Sequence, residues 1–328
     1  MTIAPERASA AVPARTGAAQ PAAEAVEGLD APRCAVASRG SGELQRGTAA
    51  PVRSWLLVEQ PGAWSRAALA ETLAAALAPA DRRRLGHLQR EQLLRALLVR
   101  RPGRTTDPSG PRTVLVGSAV PGEAWLERLV VPDLRALADL DLEAVAAGRP
   151  GHGEPVDGPA LLVCTHGAKD MCCAVEGRPL ARALEAVHGD RVWECSHVGG
   201  DRFAGNLVVA PHGEYHGHLD PAGALTAAAA AVAGRVELAG FRGRSAYDPW
   251  QQTAEHAVRV RTGLLGRDEV RCGPSREDSG RVHVTVSTRR GAFAVQMERR
   301  VQAEVAASRC RGPVLPVDYA VVALTPAG

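Results

Sequence analysis

Apolar runs and amphipathic stretches alternate from about residue 54 to 235, in an order that repeats. Ser54-Trp55-Leu56-Leu57-Val58 is a short apolar run of the kind a buried strand carries. Leu69, Leu73 and Leu77 recur every four residues behind Ser65, which predicts a capped helix over 65–77. Strands follow near Leu97-Leu98-Val99, near Val114-Leu115-Val116 and over 125–130. A second helix is predicted over 132–147, opened by Pro132 or Asp133 and stopped by Gly148. The middle of the chain reads the same way. Ala160 to Val163 is a strand, and a helix over 178–188 has Pro179 in its first turn and Gly189 at its end. Strands at 191–195, 207–210 and 215–219 precede a helix capped by Asp220-Pro221 and ending at Gly234.

Both stretches therefore read β-α-β-β-β-α, and they share wording. Leu56-Leu57-Val58 opens one and Leu161-Leu162-Val163 the other, while Gly122-Glu123 and Gly213-Glu214 each stand between the last two strands. We expect an α/β chain of two tandem βαβββα units, 51–150 and 155–235. Glu59 of the first falls where Cys164 falls in the second, so the first unit is expected to be degenerate and without ligands. Residues 1–50 are rich in Ala, Pro, Gly and Glu with no apolar period, and are expected to be a disordered tail. Residues 236–328 are expected to be an α/β extension: a helix over 249–262 capped by Asp248, then a hairpin turning at Arg290-Gly291 between alternating valines and Phe293, Val295 and Met297.

Composition narrows the function. The chain has 328 residues, 45% hydrophobic but only 3% aromatic, so its core is aliphatic and Ala-rich. A formal charge of +3 is too small to argue for nucleic acid or an anionic membrane surface as a partner. Of 39 basic residues only Lys169 is lysine, a usage expected of a GC-rich bacterial genome rather than of a phosphate-binding patch. The longest apolar stretch, Ala222 to Gly234, is mostly alanine and falls short of the roughly 20 residues a bilayer needs. The first twenty residues lack the apolar core of a secretory leader, so a cytoplasmic protein is expected. Seven cysteines in a reducing compartment read as metal ligands or redox groups rather than disulfides.

Four of those cysteines fall within 32 residues. Val163-Cys164-Thr165-His166-Gly167 leaves a strand, and Asp170-Met171-Cys172-Cys173 closes the loop before a helix. Trp193-Glu194-Cys195-Ser196-His197-Val198-Gly199-Gly200-Asp201 leaves the next strand. Two loops at one end of a sheet can present Cys164, Cys172 or Cys173, Cys195, His197 and Asp201 to one point. Thiolate and imidazole are the donors of iron–sulfur clusters and of zinc. Successive side chains diverge, so one of Cys172 and Cys173 is expected to bind while the other packs. Cys195 can instead be a buried strand residue, since free cysteine packs as a small hydrophobe.

The stretches LLVCTHGAKDMCCAVEGRPLARAL and WECSHVGGDRFAGNLVVAPHGEYHG, with WLLVEQPGAW, LLVRRPGR and FRGRSAYDPWQQTAEHAVR, resemble the sucrase/ferredoxin-like family over about residues 53–320. The family name is historical: no paired-carboxylate constellation here supports sugar hydrolysis. The resemblance implies a thioredoxin-like fold carrying a 2Fe–2S cluster. Two cysteines come from the first loop and two ligands spaced i, i+4 from the second; yeast members are similar in pairing two cysteines with two histidines. Carried over, the ligands are Cys164, Cys173, His197 and Asp201, with Cys172 and Cys195 as alternates. Asp201 stands where the family has its second histidine, and that departure leaves the fourth ligand open.

The expected function is one-electron transfer to and from redox partner proteins. A zinc site on the same Cys/His/Asp residues is the alternative. A thiol–disulfide oxidoreductase is disfavoured, because no C-x-x-C stands at the start of the helix. His166, His212, His216 and His218 are expected on exposed turns and strands, and Arg242 and Arg244 in a solvated loop. Cys34 and Cys272 are expected to be incidental, and Cys310 matches a family position to which no role can be given.

Overall fold

A computed structural model describes residues 31–103, 110–305, 308, 310 and 312–327. The fold is α/β. The first half contains β1 (Ser54–Glu59), β2 (Leu94–Arg100), β3 (Arg112–Ser118), β4 (Trp125–Val131) and the short β5 (Glu154–Pro155), preceded by α1 (Cys34–Gly40). Between β1 and β2 lie α2 (Ala68–Ala76) and α3 (Pro79–Glu91), and α4 (Leu142–Ala146) follows β4. The second half contains β6 (Ala160–Cys164), α5 (Met171–His188), β7 (Val192–Cys195), β8 (Leu207–Ala210), β9 (Glu214–His216), α6 (Pro221–Val232) and β10 (Phe241–Arg244). The C-terminal part has α7 (Pro249–Thr262), β11 (Val270–Cys272), β12 (Arg276–Asp278), β13 (Arg281–Thr288), β14 (Gly291–Val301) and β15 (Val317–Ala327).

Both halves lie in one mixed sheet of order β10-β9-β8-β6-β7-β2-β1-β3-β4-β5. Within each half the arrangement is the same. β1 runs parallel to β2 and antiparallel to β3, as β6 does to β7 and β8. The halves meet through an antiparallel pairing of β2 with β7, Val99 opposite Cys195 and Arg100 opposite Glu194. An Arg100–Glu194 ion pair at 2.6 Å reinforces the join. The apolar alternation along the strands assigns the faces. Leu56 and Val58 pack under α2, α3 and α4, and Leu161 and Val163 under α5 and α6. Trp55, Leu57, Leu162, Cys164, Trp193 and Tyr215 form one cluster on the opposite face, spanning both halves. Glu59 ends β1 as Cys164 ends β6, and its carboxylate accepts from the Thr113 backbone N–H at 2.8 Å.

Several expectations need correction. Residues 1–30 lie outside the described residues, but 31–50 are no disordered tail. Cys34, Ala35 and Ser38 of α1 are buried, and Ser38 donates to Glu43 at 2.6 Å. Glu43 in turn pairs with Arg202 at 2.6 Å. Further along, Ala49 exchanges hydrogen bonds with the Gln252 side chain, and Arg46 pairs with Asp318 at 2.8 Å. Partners more than 150 residues away hold this segment, so local apolar periodicity could not reveal it. The helix expected over 132–147 is broken into a 3-10 turn at Leu134–Asp139 and α4, because Asp133 and Asp141 each cap a new start. The helix expected to begin near Pro179 begins at Met171 under an Asp170 cap, with Pro179 inside it. The boundary expected at 235 cuts through the large sheet, since β10 pairs with β9. His166 and His216 are buried, as are Arg242 and Arg244.

The C-terminal part is mainly β. Strands β11, β13, β14 and β15 form a second sheet, with β12 on β13, and α7 packs its Ala254 and Val258 against Val284, Val286, Val295 and Met297. Buried ion pairs fasten it to the large sheet. Glu255 of α7 takes Arg244 of β10 at 2.8 Å and Arg259 at 2.9 Å, all three nearly free of solvent. Arg267 reaches Glu214 of β9. No helix among the described residues is long and apolar enough to cross a membrane.

Removing one member of a buried ion group strands the others in low dielectric. Glu255→Ala is expected to lower the unfolding free energy by about 3–5 kcal/mol. Glu154→Ala, which breaks an exposed pair with Arg128, is expected to change it by less than about 1 kcal/mol. Urea unfolding of the two variants checks the contrast.

Candidate metal centre

The candidate centre lies where β6 and β7 end side by side, Cys164 opposite Cys195. Asp170 closes the loop after β6. Its carboxylate accepts from the Cys172 backbone N–H at 2.7 Å and so sets the first turn of α5. Gly177, two turns into that helix, passes over the end of β6, where a Cβ would stand 2.2 Å from the Cys164 carbonyl oxygen. Only glycine permits that approach, and it brings the vicinal cysteines of α5 to the level of Cys164.

The loop after β7 is fixed from three sides. Arg95 donates to the His197 carbonyl at 2.9 Å. Asn206 donates to the Gly200 carbonyl at 2.9 Å. Arg242, wholly buried, donates to Gly199 O at 3.2 Å, to Asn206 Oδ1 at 2.8 Å and to Thr48 O at 2.6 Å. Gly199 and Gly200 have φ of 89° and 73°, and a Cβ on Gly200 would meet the Arg242 guanidinium at 2.4 Å. Burial lowers the Arg242 pKa only to about 10, so the guanidinium keeps its charge at neutral pH.

Cys164, Cys173 and His197 converge, with their donor atoms within 4.8 Å of one another. Cys173 Sγ lies 3.7 Å from His197 Nδ1. Both thiols are buried and the histidine is half-buried. The thiols share their protons unequally. The Cys173 thiol, hydrogen-bonded to Cys164 sulfur and helped by His197, holds Cys164 well below the ordinary thiol range. The same bond, together with burial, pushes Cys173 up.

Asp201 does not join this group. It opens a 3-10 turn, Asp201–Phe203, against which α1 packs, and its carboxylate lies 3.8 Å from Cys34 Sγ. Cys195 is buried in the same apolar cluster as Cys164 and Cys173. Cys172 faces away from Cys173's partners: its sulfur is 3.4 Å from Cys34 and 3.7 Å from Cys310. Hydrogen bonding by the Cys34 thiol brings the Cys172 pKa down to about 7. Cys34 and Cys310, expected to be incidental and without a role, thus meet a residue of the central motif. The local signal at Cys34 was weak, an apolar Cys34–Ala37 run closed by Gly40. At Cys310 the sequence offered no placement.

The family described as Sucrase/ferredoxin-like matches residues 45–239. The chain belongs to this family. The sucrase/ferredoxin-like region takes in every strand of the large sheet except β10, and all of Cys164, Cys172, Cys173, Cys195, His197 and Asp201. Cys34 and Cys310 fall outside it. No curated protein and no solved structure matches the chain.

Two outcomes follow from this geometry. In Gly177→Ala the new methyl forces α5 away from β6. The unfolding free energy is expected to fall by about 1–3 kcal/mol in urea unfolding. In the metal-free chain, thiolate absorbance is expected to appear in steps at lower pH than the usual thiol value of about 8.5. Cys164→Ser and Cys172→Ser are each expected to remove part of this low-pH absorbance, the Cys172 part lying at about 7; absorbance appearing only near the usual value would contradict this reading.

Proposed function

We propose that this sucrase/ferredoxin-like protein is a one-electron carrier of the bacterial cytoplasm, holding a 2Fe–2S cluster at Cys164, Cys173 and His197. The observation that carries the reading is the convergence of those three donors, from two loops, at the end of the large sheet. The fold detail is part of the proposal. The strand order β4-β3-β1-β2, repeated as β9-β8-β6-β7 with the same senses, supports two tandem thioredoxin-like units, of which the first has Glu59 in place of Cys164.

The residues fit such a group. Two thiols and an imidazole are the donor types it requires, and the two consecutive positive-φ glycines let backbone come close to it. When bound, the cluster supplies a reversible one-electron couple. The chain does the rest. Burial of Cys164 and Cys173 excludes water from the sulfurs. A neutral imidazole in place of a thiolate removes negative charge and raises the potential, while the second ring nitrogen of His197 can hold a proton. For the fourth position we favour Cys195 over Asp201. It sits in register beside Cys164 within the same buried cluster, whereas the Asp201 carboxylate stands beside Cys34. Met171 and Val175, 53% and 46% exposed on the first turns of α5, supply an apolar contact surface for a redox partner protein close to the centre.

One observation favours zinc as the second reading: three donor atoms within 4.8 Å also suit a single tetrahedral ion. Anaerobic purification separates the two. Electron transfer requires red-brown protein with about two irons and two labile sulfides per chain, as the cluster type demands; colourless, zinc-replete protein from iron-sufficient cells sinks it. Cys164→Ala and Cys173→Ala are each expected to abolish the colour. His197→Cys should lower the potential, because a thiolate restores the negative charge that the imidazole leaves out.

A further inference from the structure

We propose that Cys34, Cys172, Cys310 and Asp170 form a second metal site, a closed tetrahedral zinc centre that fastens both ends of the described chain to α5. Their four donor atoms lie within 4.8 Å of one another. Cys34 and Cys172 sulfurs are 3.4 Å apart, Cys172 and Cys310 3.7 Å, and Cys34 Sγ is 4.0 Å from Asp170 Oδ2. Tetrahedral zinc with bonds of about 2.3 Å puts neighbouring sulfurs about 3.8 Å apart. The apposed groups therefore need small movements, not refolding, to take up an ion.

The donors come from three separate parts of the chain. Cys34 begins α1, Asp170 and Cys172 belong to the cap and first turn of α5, and Cys310 lies in the segment between β14 and β15. Each outer cysteine is 138 residues from Cys172, so no local packing need brings them together. Every member of the group is anionic when ionised, and the Asp201 carboxylate adds another such group 3.8 Å from Cys34. The arginines on either side of Cys34 face elsewhere. Arg33 pairs with Glu176 at 3.0 Å, and Arg39 donates to Ala204 O. Soft thiolates gathered around a point with one carboxylate select zinc among common divalent ions. The apolar contact there is small, Cys34, Ala35, Cys172 and Ala204 with Cys310 against them. A metal would supply stability that this packing lacks.

The site is separate from the proposed cluster and does not rest on that reading. Cys172 and Cys173 are successive residues of one helix, and each points into a different donor group. Four protein donors leave zinc no open position, which is the mark of a structural centre rather than a catalytic one.

The test uses the whole chain, with iron and zinc counted by mass spectrometry. Cys34→Ser/Cys310→Ser is expected to lose one equivalent of zinc while keeping wild-type iron, sulfide and visible spectrum. Cys164→Ala/Cys173→Ala is expected to do the opposite. After exchange with cobalt(II), this second variant should show a thiolate-to-cobalt charge-transfer band and tetrahedral d–d bands. That measurement stands even if the first variant fails to fold. Three results would overturn the site: iron and zinc lost together from a Cys34→Ser/Cys310→Ser variant that unfolds in urea with a wild-type transition, a Cys34–Cys172 disulfide in the purified protein, or no tetrahedral cobalt spectrum in Cys164→Ala/Cys173→Ala. Colourless protein that keeps zinc at Cys34 and Cys310 would sink the electron-transfer reading and leave this one standing.

Discussion

Helix α5 crosses the end of β6 so closely that Gly177 has no room for a side chain above the Cys164 carbonyl, and the candidate chemistry of the protein hangs on that contact. It fixes the height of the first helical turn relative to the sheet. Asp170 fixes where that turn begins. Together they place Cys173 beside Cys164 and His197, and they aim Cys172 the other way, at Cys34 and Cys310. A helix starting about two turns later, as its proline alone would have placed it, leaves both cysteines in a loop with no defined direction.

Around that contact, buried polar groups do what apolar packing does elsewhere. Arg242 is the hub on one side. A single guanidinium joins the loop of His197 to Asn206 and to Thr48 of the N-terminal segment. Glu255 is the hub on the other side, with Arg244 and Arg259, and Arg267 extends the network to β9 through Glu214. Such groups are costly to desolvate singly and stable only when satisfied together. They therefore make the position of each segment depend on the others, and the ends of the described chain are part of the site's support rather than appendages to it.

The joined sheet gives the two halves different tasks. Pairing β2 with β7 lays the first half along the edge of the second, and Leu98 bonds both the backbone and the hydroxyl of Ser196, at the start of the His197 loop. Arg95 of β2 holds the His197 carbonyl itself. The first half thus serves as a wall that positions the loop carrying His197 in the second.

Apolar periodicity determined most of the elements by itself. The runs at β1, β2, β6 and β8, the caps of α6 and α7 and the β13–β14 hairpin follow from local patterns of burial and capping. Loops after adjacent parallel strands share one end of a sheet, so the sequence also brought Cys164, Cys172 or Cys173, Cys195, His197 and Asp201 to one place, while the choice of Cys164, Cys173 and His197 among them came from the family resemblance. What the sequence left open was everything set by contacts between distant residues. The docking of the segment 31–50 depends on Arg202, which pairs with Glu43, and on Arg242 and Gln252, which hold Thr48 and Ala49. The earlier start of α5 depends on an aspartate cap that outweighed the proline as a marker of the helix start. The meeting of Cys34, Cys172 and Cys310 depends on three segments converging from 138 residues apart in each direction. Local sequence encodes which face of an element is apolar. It carries no record of which remote thiol will lie against that face, and only the folded chain decides that.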